Sequence, residues 1–151
     1  MADLQSIMGQ MEVLLEAQGY TVYDVTEWGK KKVSQRPVSE FPIIFIGRGT
    51  EVIDNAGESG LFLLLETAEI DLNVVLATGE DDLYTDSATE IRKIKDIIYT
   101  NRCLSDFWSD WVMDDNQVVQ LATSNSQSEI FGGININTTV QYREQNIEGV
   151  L

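Results

Sequence analysis

From Phe62 onward the chain alternates. Phe62, Leu64, Glu66, Ala68, Ile70, Leu72, Val74 and Leu76 hold the even positions, and Thr67, Glu69, Asp71 and Asn73 stand among the odd ones. Successive side chains of a β-strand point to opposite faces, so this pattern describes a strand with one apolar and one polar face, sustained for about 15 residues. Strands commonly run to about five or six residues. The pattern therefore predicts a hairpin long enough to extend beyond the body of the domain.

A second alternation comes near the end. In GGININTTVQYRE, residues 132–144, one row is Ile134, Ile136, Thr138, Val140 and Tyr142, and the other is Asn135, Asn137, Thr139, Gln141 and Arg143. The first row must cover a core. The second is polar yet almost uncharged, whereas the solvated face of an antiparallel sheet in an acidic protein ordinarily carries Glu and Lys. A partner or a lumen is one reading of such a face. An edge or hairpin strand with a neutral wet face is the other, because Thr and Tyr also simply fit strands.

The remaining segments fall into place around these two. Leu4, Ile7, Met8, Met11, Leu14 and Leu15 recur at helical spacing, with Gly19 where a left-handed cap belongs, and predict a first amphipathic helix. Tyr20 to Trp28 is strand-like, and an irregular loop from Gly29 to Glu40 follows. FPIIFIGRG, bounded by Pro42 and the Gly47/Gly49 pair, reads as a strand buried on both faces and central in its sheet. Glu51 to Gly60 has the composition of a hairpin turn, and Ala77 to Asp86 that of a polar, acidic turn.

S-A-T-E at Ser87 to Glu90 matches a capping box and predicts a second helix starting there, with Ala88, Ile91, Ile94 and Ile98 on one face and Arg92, Lys93 and Lys95 pointing away. Leu104, Phe107, Trp108, Trp111 and Val112 keep helical spacing and are read as a short third helix, a packed loop being the alternative. Asn116 to Thr123 is strand-like, and Ser124 to Glu129 is a loop or hairpin tip. No repeat, low-complexity segment or linker interrupts residues 1–151. The order predicts one α+β domain, a mostly antiparallel sheet with a long β-hairpin and helices packed on one face.

The 10 Lys and Arg against 25 Asp and Glu give a net charge of −15, with no His. Broad nucleic-acid binding is disfavoured, because phosphate contacts need clustered cations. One cluster exists, Lys30, Lys31, Lys32 and Arg36 in GKKKVSQRP, which suits a solvated loop or contact with DNA or an acidic partner. The longest apolar run in the polar-to-apolar alternation, LFLLL, has five residues, far from the roughly 18 of a membrane helix. The start, MADLQSIMGQMEVLL, reads as a folded helix and not a secretion signal, so a soluble, unprocessed protein is expected.

Catalytic sets are scarce. Without His the usual general base and transition-metal ligand are missing, and Cys103 has no imidazole to activate it. As the single cysteine it forms no intrachain disulfide, and it reads as a small buried residue at the end of the second helix. No phosphate-binding loop or dinucleotide fingerprint occurs, and no cofactor is implied. Glu80, Asp81 and Asp82, and then Asp114 and Asp115, are carboxylate groupings able in principle to hold a hard cation, but neither has EF-hand spacing, and solvated turns explain both. Trp28, Trp108 and Trp111 suit core or interface packing. Function is expected in surfaces.

The order of elements, together with Glu40-Phe41-Pro42 ahead of an apolar strand and a closing Thr138-to-Tyr142 strand, resembles the tail-terminator proteins of long-tailed bacteriophages, the lambda minor tail protein U type. The resemblance covers nearly the whole chain; the Lys-rich loop is longer than in that family, and residues Gln145 to Leu151 are extra. It implies a non-enzymatic virion protein of the tail or neck, made in the host cytoplasm. Such a protein assembles as a homo-hexameric ring on the last ring of the tail tube, stops tube polymerisation and presents a surface to the head connector. Genomic DNA passes through the lumen without specific binding, and acidic lining would keep it from sticking. The residues expected at contacts are Lys30, Lys31, Lys32 and Arg36, then Glu69, Asp71 and Asn73, then Asn135, Asn137 and Gln141. Three other readings compete: another neck or tail-completion protein of the same fold, an acidic DNA-mimic inhibitor, and a carboxylate-dependent hydrolase. Interleaving of acids with apolar residues, and the Lys cluster, weigh against the mimic.

Overall fold

A computed structural model describes residues 4–24, 40–55, 63–79, 82–104, 109–123 and 129–145. The Lys30–Arg36 loop, Trp28, Trp108, the expected turn at 56–60, Glu80 and Asp81, the tip at 124–128 and the tail from 146 lie outside them. The elements are α1 (Leu4–Ala17), β1 (Thr21–Asp24), β2 (Ile43–Asn55), β3 (Leu63–Gly79), α2 (Leu83–Thr100), β4 (Ser109–Thr123) and β5 (Glu129–Gln145). The strands form one sheet in the order β1-β2-β3-β5-β4. β1 runs parallel to β2, and the other neighbours are antiparallel. This is the expected α+β class.

The apolar rows explain the layers. Leu4, Ile7, Met11 and Leu15 of α1 are buried, as are Ile94, Ile97 and Ile98 of α2. They meet Ile44 and Ile46 of β2, the even positions Ala68 to Leu76 of β3, Trp111 of β4, and Ile134, Ile136, Val140 and Tyr142 of β5 in one core. Both helices thus cover the same side of the sheet. At Gly19 the chain leaves α1 with φ of 95°, a left-handed conformation that costs glycine little. Gly132 is needed for close approach, since a Cβ there would stand 2.2 Å from Leu83 Cδ1 in the first turn of α2.

Several expectations need correction. Ile43 to Ile46 are buried on both faces as expected, yet β3 is the central strand and β2 its neighbour. The long hairpin is not a free arm, because β5 pairs with β3 from Leu63↔Gln145 to Gly79↔Glu129. Long strands were stabilised by each other. The regions expected as turns are in part regular structure: β2 continues to Asn55, β3 to Gly79, and α2 begins at Leu83. α2 starts a turn before the capping-box pattern, with Asp82 as its N-cap and Ser87 buried in its interior. The spacing read as a third helix belongs in part to β4: Ser109 and Trp111 face the core with alternate burial in a strand paired with β5, and the Trp111 amide donates to the Arg102 carbonyl at 3.0 Å. Cys103 is exposed, in the turn after α2 and not in the core. No helix among the described residues is long and apolar enough to cross a membrane.

Candidate functional site

The face turned away from the helices carries the odd positions of β3 and β5. Strand register aligns them in rows across β3, β5 and β4: Asn73, Asn135 and Gln117; Asp71, Asn137 and Asp115; Glu69, Thr139 and Val112; Thr67, Gln141 and Asp110. Glu69, Asp71, Asn73, Asn135, Asn137 and Gln141, named from two distant segments, therefore share one continuous surface. Asn73 faces Asn135 directly, and Asp71 faces Asn137. All six are exposed or half-buried. The four cations of the Lys-rich loop lie outside the described residues.

A β-bulge gives this face its charge. The β4–β5 register slips between Met113 and Asp115, so one extra residue is accommodated and the consecutive Asp114 and Asp115 both turn to the polar side. Asp114 accepts a hydrogen bond from the Thr139 hydroxyl, and Asp115 Oδ1 accepts one from Asn137 Nδ2 at 2.5 Å. A second slip, between Arg48 and Glu51, brings the β2 backbone up to Glu69, whose Oε2 accepts from the Thr50 amide at 3.4 Å. Gly49 lacks the Cβ that would otherwise stand 2.7 Å from that same oxygen.

Glu69, Asp71, Asp114 and Asp115, with Asn137, line a depression of about 300 Å³. Partial burial, and then the neighbouring Glu69 and Asp115 carboxylates, push the Asp71 carboxyl above its usual range. Among the described residues no cation pairs with these four acids. Nor do they converge: β5 separates the two pairs by two strand spacings, about 9–10 Å. Correspondingly, no group of three His, Cys, Asp or Glu among the described residues is placed to hold a metal ion.

The same face has an apolar end. Ile43, Phe45 and Val75 are buried there with Tyr23 and Phe41 against them. The Tyr23 and Phe45 rings stack with centroids 5.8 Å apart, and Phe41 tilts against Phe131 at 5.4 Å. On the helix side the polar groups are tied into the fold. Trp111 Nε1 donates to Thr138 Oγ1 at 2.9 Å, and Thr138 Oγ1 donates to the Ile70 carbonyl at 2.8 Å. The Tyr142 hydroxyl donates to Glu51 at 2.7 Å. Burial, and then hydrogen bonding with Glu66 and Glu51, hold that phenol above its ordinary range. Tyr20 donates to Glu90, and burial followed by that bond raises its phenol as well.

Asp114, Asp115, Gln117 and Thr139 belong to the polar face and are additional to the contact residues expected from sequence. The signal was a change of parity: core-facing positions are odd at Trp111 and Met113 and even at Val118, which requires one extra residue between them. No family model matches the chain, and no curated protein matches it. The face offers amides, hydroxyls and carboxylates aligned in register across β3, β5 and β4.

Proposed function

We propose that the protein is a structural virion component of the tail-terminator type, which closes into a ring on the end of a phage tail tube, stops its growth and forms the surface on which the head connector sits. The observation that carries this reading is the polar sheet face: a three-strand surface of aligned Asn, Gln, Thr and acidic side chains opposite a fully formed core. Such a surface suits hydrogen-bonded contact between folded subunits or the lining of a lumen. The resemblance in element order supplies the ring, six-membered in that family, and the tube and connector as partners.

The test is growth of tail tubes from purified tube protein with and without this protein. Tubes should become shorter at low molar ratios, with added density on one end in electron micrographs. Unchanged tube lengths and bare ends would contradict the reading. Density on the end without arrest of growth would indicate another neck or tail-completion role.

A second reading has one observation in its favour, the quartet of carboxylates on one face without a cation partner among the described residues. A DNA mimic would use it against the basic groove of a DNA-binding protein. It predicts a strict monomer forming a one-to-one complex that duplex DNA displaces.

A further inference from the structure

The outer ridge of α2 carries Arg92, Lys95 and Tyr99, all exposed, while the inner side of the helix is buried through Leu83, Ile94, Ile97 and Ile98. In a chain of net charge −15 this ridge is out of character. No acid among the described residues pairs with Arg92 or Lys95, although exposed Asp96 flanks them. Neighbouring groups on the helix are engaged elsewhere. Lys93 lies 4.8 Å over the Tyr20 ring, Glu90 accepts from Tyr20, and Asp86 accepts from Thr78. At the foot of the ridge Arg102 grips Asp110 through two bonds of 2.7 and 2.9 Å, with its guanidinium 6.0 Å from the Tyr99 ring.

The sheet stands between this ridge and the acidic polar face. Two surfaces of opposite charge on opposite sides of a two-layer molecule cannot meet within one chain, but they meet readily between copies. We propose that the α2 ridge of one copy docks on the Glu69, Asp71, Asp114 and Asp115 face of the next, so that the protein associates head to tail with itself. This deepens the reading of a self-assembling ring component and rests on it.

Arg92 and Lys95 stand about 4.5 Å apart along the helix and Tyr99 about 10 Å from Arg92, so the two cations cover one acid pair while the tyrosine reaches toward the other, two strand spacings or about 9–10 Å away. A helix laid across the strands brings Arg92, with its planar fork, and Lys95 over carboxylates that have no counter-charge among the described residues. The intervening Asn137 and Thr139 supply polar contact between the charged rows. A heterologous contact of this kind repeats from copy to copy and closes into a ring when its rotation divides a full turn.

The test is a charge swap read by solution mass. Glu69→Lys with Asp114→Lys and Asp115→Lys leaves Asp71 as the one acid of that quartet and reverses its sign, and Arg92→Glu with Lys95→Glu reverses the other surface. All five positions are exposed, and circular dichroism with thermal melting verifies the fold of each variant; Glu69→Gln with Asp114→Asn and Asp115→Asn is the milder substitute if the lysine variant does not fold. Wild-type protein should associate at low salt and weaken as salt rises. Each reversed variant alone should lose at least roughly a hundredfold in association, since like charges then face each other. Mixed together the two should associate again as strictly alternating copies, because each then offers what the other needs. A monomeric wild type, a reversed variant that associates normally, or a mixture that stays monomeric would overturn the inference. Tube growth separates this from the functional reading: arrest of tubes by reversed variants as by wild type would sink the contact and leave the terminator role, whereas rescue on mixing without any tube effect would do the opposite.

Discussion

Thr138 shows how a single residue is decided by its row. It stands among Ile134, Ile136, Val140 and Tyr142, is buried with them, and turns its hydroxyl into a link from Trp111 to the Ile70 carbonyl across three strands. Thr138→Val keeps the shape and leaves the indole N–H without its acceptor, so it should cost about 1–3 kcal/mol of stability, measured by chemical denaturation. On the other face, Asp71 carries a pH signature. Its carboxyl lies above the usual range because of burial and then the Glu69 and Asp115 charges, so the folded state holds that proton more tightly than the unfolded chain does. The contribution favours folding in acid and is lost as pH rises through the carboxylate range. Asp71→Asn should therefore be more stable than the parent at neutral pH by a few tenths to about 1 kcal/mol, and the gain should shrink in melts near pH 4. A constant difference across pH would contradict the assignment. Alternation alone was enough to put Glu69, Asp71, Asn73, Asn135, Asn137 and Gln141 on a polar face. It was not enough for Asp114 and Asp115, because a doublet of acids reads as a turn until the parity break beside it is noticed.

At the scale of elements the boundaries set by local motifs were the weakest reading. S-A-T-E has the letters of a capping box, but packing of Leu83 against Gly132 carries α2 one turn further back and leaves Ser87 in the interior with no hydrogen-bond partner for its hydroxyl among the described residues. A true cap would lose about 1 kcal/mol on Ser87→Ala. Here the substitution should be neutral or stabilising by up to about 0.5 kcal/mol, from helix propensity, in guanidinium denaturation. The segment around Trp111 went astray for a related reason: its apolar residues satisfy helical spacing and strand alternation at once, and pairing with β5 decides between them. α1 and the core rows of β3 and β5 were legible because each carries a long, unambiguous period.

At the scale of the molecule, the α+β class and the placement of both helices on one side followed from the two strand faces. The insertion of β5 between β3 and β4 did not, because a period of two assigns faces and leaves partners open. What results is a domain with a covered side whose outer ridge is cationic and an opposite side whose acids lack counter-charge among the described residues, the arrangement on which the proposed head-to-tail contact rests. The most direct test of that claim is native mass spectrometry of the wild-type protein over a range of concentration and volatile-salt strength. A single discrete closed oligomer, dissociating as salt rises, is the predicted result; a monomer at every concentration and salt would contradict the account.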